Sequence, residues 1–205
     1  MRPADVETFE RCIHVGGVAL FPADTVYGLA TEPASREGVE RLYALKGRPP
    51  VQPAAVMFFQ LELALAALPE LGPRTRAALE RLLPGALTLL LPNPARRFPL
   101  ACGPAPERLG LRVPELTGAL APLAAARWPV LQSSANPSGG SDARRLADVD
   151  ERIRAGVDLQ LDGGDLPGTP STVVDLTRYE GSGEHTIVRA GAVATERVAA
   201  LLASG

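Results

Sequence analysis

Of the 21 basic residues in this chain of 205, one is lysine, Lys46, and the other 20 are arginine. Wherever a generic cation is needed the sequence uses arginine, so the lone ammonium invites a chemical reason. Lysine is a compact point charge suited to a phosphate, whereas the arginine fork is planar and bidentate. Lys46 opens the run Lys46-Gly47-Arg48-Pro49-Pro50, a basic pair around a glycine. Two polar clusters, Asp24-Thr25 and Ser133-Ser134-Ala135-Asn136, each follow an apolar run. Their hydroxyls and amide can meet phosphate or carboxylate oxygens through short, orientable side chains, although the same residue types also build turns and caps. Arg112 and Arg189 stand near the ends of two further apolar runs. Gathered in one crevice, these groups suit a nucleoside triphosphate.

Several chemistries are excluded. The sequence has no GxxxxGK[ST], no GxGxxG after a strand and no GxSxG, so phosphate must be met by scattered side chains, and acyl-transfer nucleophiles lack support. Cys12 and Cys102, like His14 and His185, are too scattered for metal-ligand spacing, and neither a structural disulfide nor a bound metal is expected. The formal net charge of −2 gives no bulk field for nucleic acid. The longest uncharged stretches, 82–95 and 128–141, have 14 residues and are interrupted by proline, short of a membrane span. With no signal peptide at the N-terminus, the expected location is the cytoplasm.

The elements that must position these residues follow from periodicity. Asp5 is placed to cap a first helix with Val6, Phe9 and Ile13 inward, ended by Gly16-Gly17. Ser35 is placed to cap a second, with Val39, Leu42 and Tyr43 on one face and Gly47 as its stop, so Lys46 falls in the last turn. Further helices are predicted over 61–67, 74–83, 117–127, 142–155 and 195–202. Strands are predicted over 18–21, 26–30, 54–59, 86–91, 109–113, 129–133, 157–161, 171–176 and 186–189, and 93–106 reads as a surface loop. Apolar strands alternating with helices indicate one α/β domain over 1–205, with a mostly covered mixed sheet. Ligands of such sheets commonly sit beyond the carboxyl ends of the strands.

Six blocks, in order, closely resemble the signature of the YrdC/Sua5 family: Phe21-Pro22-Ala23-Asp24-Thr25-Val26-Tyr27-Gly28-Leu29, Lys46-Gly47-Arg48-Pro49, Leu83-Pro84-Gly85-Ala86-Leu87-Thr88, Leu111-Arg112-Val113-Pro114, Ser134-Ala135-Asn136, and Ser171-Thr172-Val173-Val174-Asp175 through Arg189-Ala190-Gly191. The resemblance covers about residues 8 to 200, and a chain ending at Gly205 looks like the single-domain, YrdC (TsaC) type. It implies a YrdC-like fold with a concave basic cleft. The implied activity is L-threonylcarbamoyladenylate synthesis: L-threonine, bicarbonate and ATP give threonylcarbamoyl-AMP and pyrophosphate. Partner proteins then transfer the threonylcarbamoyl group to adenosine 37 of tRNA, and direct contact with tRNA or other RNA is left open. Magnesium is expected to arrive with ATP rather than in a protein cage.

By the same resemblance, Lys46 and Arg48 face the phosphates and carry catalysis. Ser134 and Asn136 bind the nucleotide, Thr25 and Ser171 contact threonine, Arg189 lies by the phosphates, and Arg112 approaches a carboxylate or phosphate. Asp24 supports the site or builds its turn. Ala23, Gln52, Ala54, Met57 and Pro170 depart from the family pattern. Two other readings remain: a nucleotide- or RNA-binding module without the chemistry, and a carbamoyl-transfer enzyme with another acceptor. Sparse aromatic residues speak against single-stranded RNA.

Overall fold

In the computed structural model the described residues are 1–49 and 51–203; Pro50, the last residue of the basic 46–50 run, and Ser204 and Gly205 lie outside them. The strands, in chain order, are β1 (Ala19–Pro22), β2 (Tyr27–Thr31), β3 (Ala55–Met57), β4 (Leu87–Pro92), β5 (Arg108–Arg112), β6 (Val130–Ser134), β7 (Leu159–Gln160), β8 (Thr172–Asp175) and β9 (Thr186–Arg189). They form one mixed sheet in the order β7-β1-β2-β6-β3-β5-β4-β8-β9. The pairs β1/β7, β3/β5 and β4/β8 are parallel and the other neighbours antiparallel. The helices are α1 (Pro3–His14), α2 (Arg36–Lys46), α3 (Leu61–Ala67), α4 (Pro73–Leu82), α5 (Pro99–Cys102), α6 (Glu151–Gly156), α7 (Tyr179–Ser182) and α8 (Thr195–Ala203).

The two faces of the sheet are covered unequally. On one, Leu20, Leu29, Val56, Leu89, Leu111 and Leu131 pack in a core shared with Leu42 of α2, Leu79 of α4 and Val198 of α8. On the other, Ala19, Phe21, Ala30, Met57 and Val130 meet Phe9 and Ile13 of α1 and Leu123. That second cover stops short. Along β4 fully buried leucines alternate with half-buried residues, and the second-face side chains Thr88, Gln132 and Val173 line a cleft instead. The cleft therefore lies on the open part of a sheet face, and Arg112, Ser134 and Arg189 enter its lining from the carboxyl ends of β5, β6 and β9.

Local signals place the basic pair. The Ser35 hydroxyl accepts from Gly38 N at 3.1 Å at the start of α2, and Gly47 ends the helix at φ 58°, a left-handed conformation that glycine adopts without penalty. Arg48 N then donates to Tyr43 O at 2.9 Å, closing the turn. At α1 the expected cap shifts: Pro3 opens the helix and Asp5, inside its first turn, accepts from Arg2 N at 2.7 Å.

Three segments differ from the sequence-based expectation. The helix expected over 117–127 is a 3₁₀ helix, Gly118–Ala125, with Pro122 inside it removing a donor. The stretch 93–106 is not a loose surface loop. Asn93 is buried, donates to Arg97 O and Pro106 O at 3.0 and 2.9 Å, and frames α5, whose Ala101 O accepts from Ala54 N at 2.8 Å. The helix expected over 142–155 survives only as a short 3₁₀ turn, Leu146–Asp148, and α6. Upstream of these, Ala143 O accepts from Tyr27 N at 3.0 Å and Arg144 O from Leu166 N at 2.9 Å, so carbonyls a helix would use are taken by long-range partners.

Tyr27 joins these parts. Its ring is fully buried; its hydroxyl lies 2.9 Å from Asp162 Oδ1 and accepts from Gly163 N at 3.0 Å. Tyr27→Phe leaves that amide unpaired and is expected to cost about 1–3 kcal/mol. Urea unfolding measures it, and a midpoint equal to wild type would show that the hydroxyl holds nothing.

Candidate active site

The cleft on the open sheet face holds about 620 Å³ of empty space, counting its open mouth. Thr25, Arg48, Arg112, Ser134, Ser171 and Arg189 line it, drawn from segments as far apart in the chain as 25 and 189. Lys46 and Asn136 are not on the lining; they stand directly behind it. The cleft thus gathers three guanidinium groups against one lining carboxylate, Asp142, in a chain whose formal charge is −2.

Lys46 is 4% exposed. Its ammonium donates to Asn136 O at 2.7 Å, to Asn136 Oδ1 at 2.9 Å and to Ser134 O, so all three protons go to one turn. The Ser134 hydroxyl donates to Asn136 Oδ1 at 2.5 Å, and the Asn136 amide donates onward to Gly140 O. Lys46 therefore braces the Ser134–Asn136 wall from behind rather than opening into the cleft. Burial, and then the neighbouring Arg48 charge, pulls its ammonium down to about 8, with Asp142 opposing.

Arg48 forms the adjacent wall. Nη1 donates to Ser133 Oγ at 2.8 Å, Nη2 donates to Pro53 O, and the guanidinium lies 5.4 Å from the centre of the Tyr43 ring. Its Nε is buried without a partner among the described residues.

Arg112, also 4% exposed, ends β5 on the open face. It donates to Asp24 Oδ1 at 2.6 Å and to Gln132 Oε1 at 3.1 Å, and reaches Thr25 Oγ1 at 3.4 Å. Burial pushes the Asp24 carboxyl up while the Arg112 charge pulls it down, and an arginine keeps its proton, so the two stand as an ion pair. Asp24 is thus the counter-charge of Arg112 as well as a turn residue. Gly28 makes room for this arrangement, because a Cβ there would come within 2.7 Å of Gln132 Nε2. On the far wall Arg189 donates to Ser171 O at 2.8 Å, and the Ser171 hydroxyl is 2.8 Å from Thr88 Oγ1.

Sequence reasoning passed over Gln132, Thr88 and Asp142. The first was legible, since Gln132 and Ser134 are two apart on β6 and share a face. Asp142 was hidden by its assignment to a helix. Of the positions departing from the family pattern, Ala23 and Met57 are buried in the smaller core, while Ala54 and Pro170 line the cleft. Among the described residues no group of His, Cys, Asp and Glu is arranged to hold a metal ion, and no helix is long and apolar enough to cross a membrane.

The Sua5/YciO/YrdC family model, described as telomere recombination, matches residues 11–191. The threonylcarbamoyl-AMP synthase of Pyrococcus abyssi is 31% identical over 171 residues, covering 82% of this chain and 49% of the relative. The protein of the same name from Bacillus subtilis is 32% identical over 193 residues, covering 90% and 53%. This chain spans about half the length of these two relatives. The crystal structure of P. abyssi Sua5 complexed with L-threonine superposes with a TM-score of 0.84 at 24% identity, covering 98% of this chain and 58% of that one, a likeness of fold.

Two stability measurements test the geometry. Asp24→Ala strands the Arg112 charge and is expected to cost about 3–5 kcal/mol, while the double variant Asp24→Ala/Arg112→Met recovers most of it. Failure of the double variant to recover would show that the pair is not coupled. For Lys46, the native ammonium titrates near 8 and the unfolded one near its ordinary 10.5. Below about pH 8 both states hold the proton and the burial penalty is complete; above it the unfolded chain binds more protons, so stability rises towards pH 10.5. Relative to Lys46→Met, the wild type should gain stability across that window in chemical denaturation series, and a flat difference would contradict the placement.

Proposed function

Since the chain belongs to the Sua5/YciO/YrdC family, we propose that it joins L-threonine, bicarbonate and ATP into threonylcarbamoyl-AMP, with release of pyrophosphate. The product serves partner proteins that place the threonylcarbamoyl group on adenosine 37 of tRNA, in the cytoplasm. The observation that carries this reading is the meeting of three guanidinium groups and a bank of hydroxyls in one cleft, a donor set made for a polyanion.

The chemistry asks little else of the protein. The free amine of threonine attacks the carbon of bicarbonate; a C–O bond breaks and its oxygen leaves as water, taking up the proton the nitrogen loses, so that a carbamate remains. One carbamate oxygen then attacks the α-phosphorus of ATP in line, the bond to the bridging oxygen breaks, and pyrophosphate leaves with that electron pair. Positioning and charge stabilisation dominate such transfers, and no protein nucleophile is required. Arg48 and Arg189 neutralise the phosphates from opposite walls. Ser134, held by the Asn136 and Lys46 contacts behind it, fixes the nucleotide. Thr25 and Ser171 receive threonine, and Arg112, next to Thr25, takes its carboxylate. A magnesium ion accompanying ATP neutralises phosphate charge when bound; the described residues form no cage for it, and no step here depends on one.

Incubating purified protein with ATP, bicarbonate and L-threonine should release pyrophosphate only when all three are present, with the adenylate seen by mass spectrometry. Lys46→Ala should cut turnover by at least about tenfold, because the wall loses its brace and its charge. Nucleotide binding without threonine-dependent pyrophosphate would defeat the reading, and unchanged turnover in the variant would remove Lys46 from the mechanism.

A further inference from the structure

We propose that the Asp142 carboxylate accepts hydrogen bonds from the ribose 2′ and 3′ hydroxyls of the nucleotide and makes the cleft selective for ribonucleotides. This rests on the ATP-using reading above. Asp142 is the one acidic residue among the described residues lining the cleft. Each lining arginine is already engaged by the protein: Arg48 by Ser133, Arg112 by Asp24 and Gln132, Arg189 by Ser171. Asp142 has no hydrogen bond or ion pair with a described residue, although three guanidinium groups share its cleft. Its backbone is nonetheless fixed. Gly140 O takes the Asn136 amide on one side, and on the other Ala143 O and Arg144 O accept from Tyr27 N and Leu166 N. The main chain on both sides of Asp142 is therefore held in place, and its two carboxylate oxygens have no hydrogen-bond partner among the described residues.

An ionised carboxylate repels phosphate, so the part of the ligand it meets must offer donors. Asp142 belongs to the wall of Ser134 and Lys46, whose ammonium feels its charge. That is the wall assigned to the nucleotide. The ribose ring is joined to the α-phosphate through only the 5′ oxygen and carbon, so a residue beside the phosphate wall is within reach of the sugar. The vicinal hydroxyls are two neighbouring donors matched to two carboxylate oxygens, the pairing by which acidic residues hold ribose in dinucleotide sites. Asp142 is invisible to motif reading because it follows the Ser134-Ala135-Asn136 block at a distance and occupies a position predicted to be helical.

Calorimetric titration with ATP and with 2′,3′-dideoxy-ATP, without threonine or bicarbonate, tests the assignment on wild type, Asp142→Ala and Asp142→Asn. Wild type should bind ATP about tenfold more tightly than the dideoxy nucleotide, the size of one charge-assisted hydrogen bond. Asp142→Ala should bind both alike, at the wild-type dideoxy level, and Asp142→Asn should fall between. The assignment is overturned if wild type does not discriminate, if Asp142→Ala keeps the discrimination, or if that variant raises KM for threonine while nucleotide binding is unchanged. Because the side chain has no hydrogen-bonded partner among the described residues, both variants should fold, losing at most the small stabilisation that its charge gives the Lys46 ammonium. Threonine-dependent pyrophosphate release by the wild type, measured separately, decides the underlying reading: if it holds and selectivity does not follow Asp142, only this inference falls.

Discussion

Burying a cation is expensive unless its donors find acceptors, and this protein buries two at one place. Lys46 meets the requirement with three oxygens of a single turn; Arg112 meets it at both terminal nitrogens, with Asp24, Gln132 and the fringe of Thr25, while its buried Nε has no partner among the described residues. The acceptors are drawn from β6, from the turn after it and from the turn after β1, so satisfying these two charges fixes three parts of the cleft relative to one another. The ordering takes place when the chain folds. A ligand then meets oriented groups, and little reorganisation remains for the moment of reaction.

The placement of those groups depends on the incomplete cover of the sheet. α1 and the 3₁₀ helix seal the second face over β1, β2 and the near ends of β3 and β6, while the helices of the other face cover the larger core. Alternation then turns Thr88, Gln132 and Arg112 towards the uncovered side without any special loop. Strands that carry the core on one face carry the polar site on the other, which is why Leu89 and Thr88, or Leu131 and Gln132, are neighbours in sequence with opposite duties. A substitution that shifted register by one residue would exchange the two.

Much of this was legible in the sequence where local signals are strong. The cap at Ser35, the stop at Gly47 and the apolar face of α2 placed Lys46 in a last turn, and the short apolar runs placed nearly every strand. What was not legible is long-range. Asp142 and its neighbours have good helical periodicity with Leu146, Val149 and Ile153 inward, yet Tyr27 and Leu166 claim the backbone of 143–144 from far along the chain. Likewise the proline-rich 93–106 stretch carries no periodic signal; its order comes from Asn93 reaching across a loop to Arg97 and Pro106. The ordered motif blocks indicated which residues converge, but not that Lys46 would stand behind the wall instead of on it.

That placement also accounts for the single lysine. Three acceptors converging from one tight turn, Ser134 O, Asn136 O and Asn136 Oδ1, match the three protons of a compact ammonium. A planar guanidinium spreads its donors over a wider fork and could not direct three of them into so small a space. The cations on the cleft surface face the opposite geometry. They bridge between segments, as Arg48 does between Ser133 and Pro53 and Arg112 between Asp24 and Gln132, and there the broad fork is the better shape. An arginine-rich composition therefore yields one exception where geometry forbids the rule, and the exception is a buried cation whose three protons all go to a single turn.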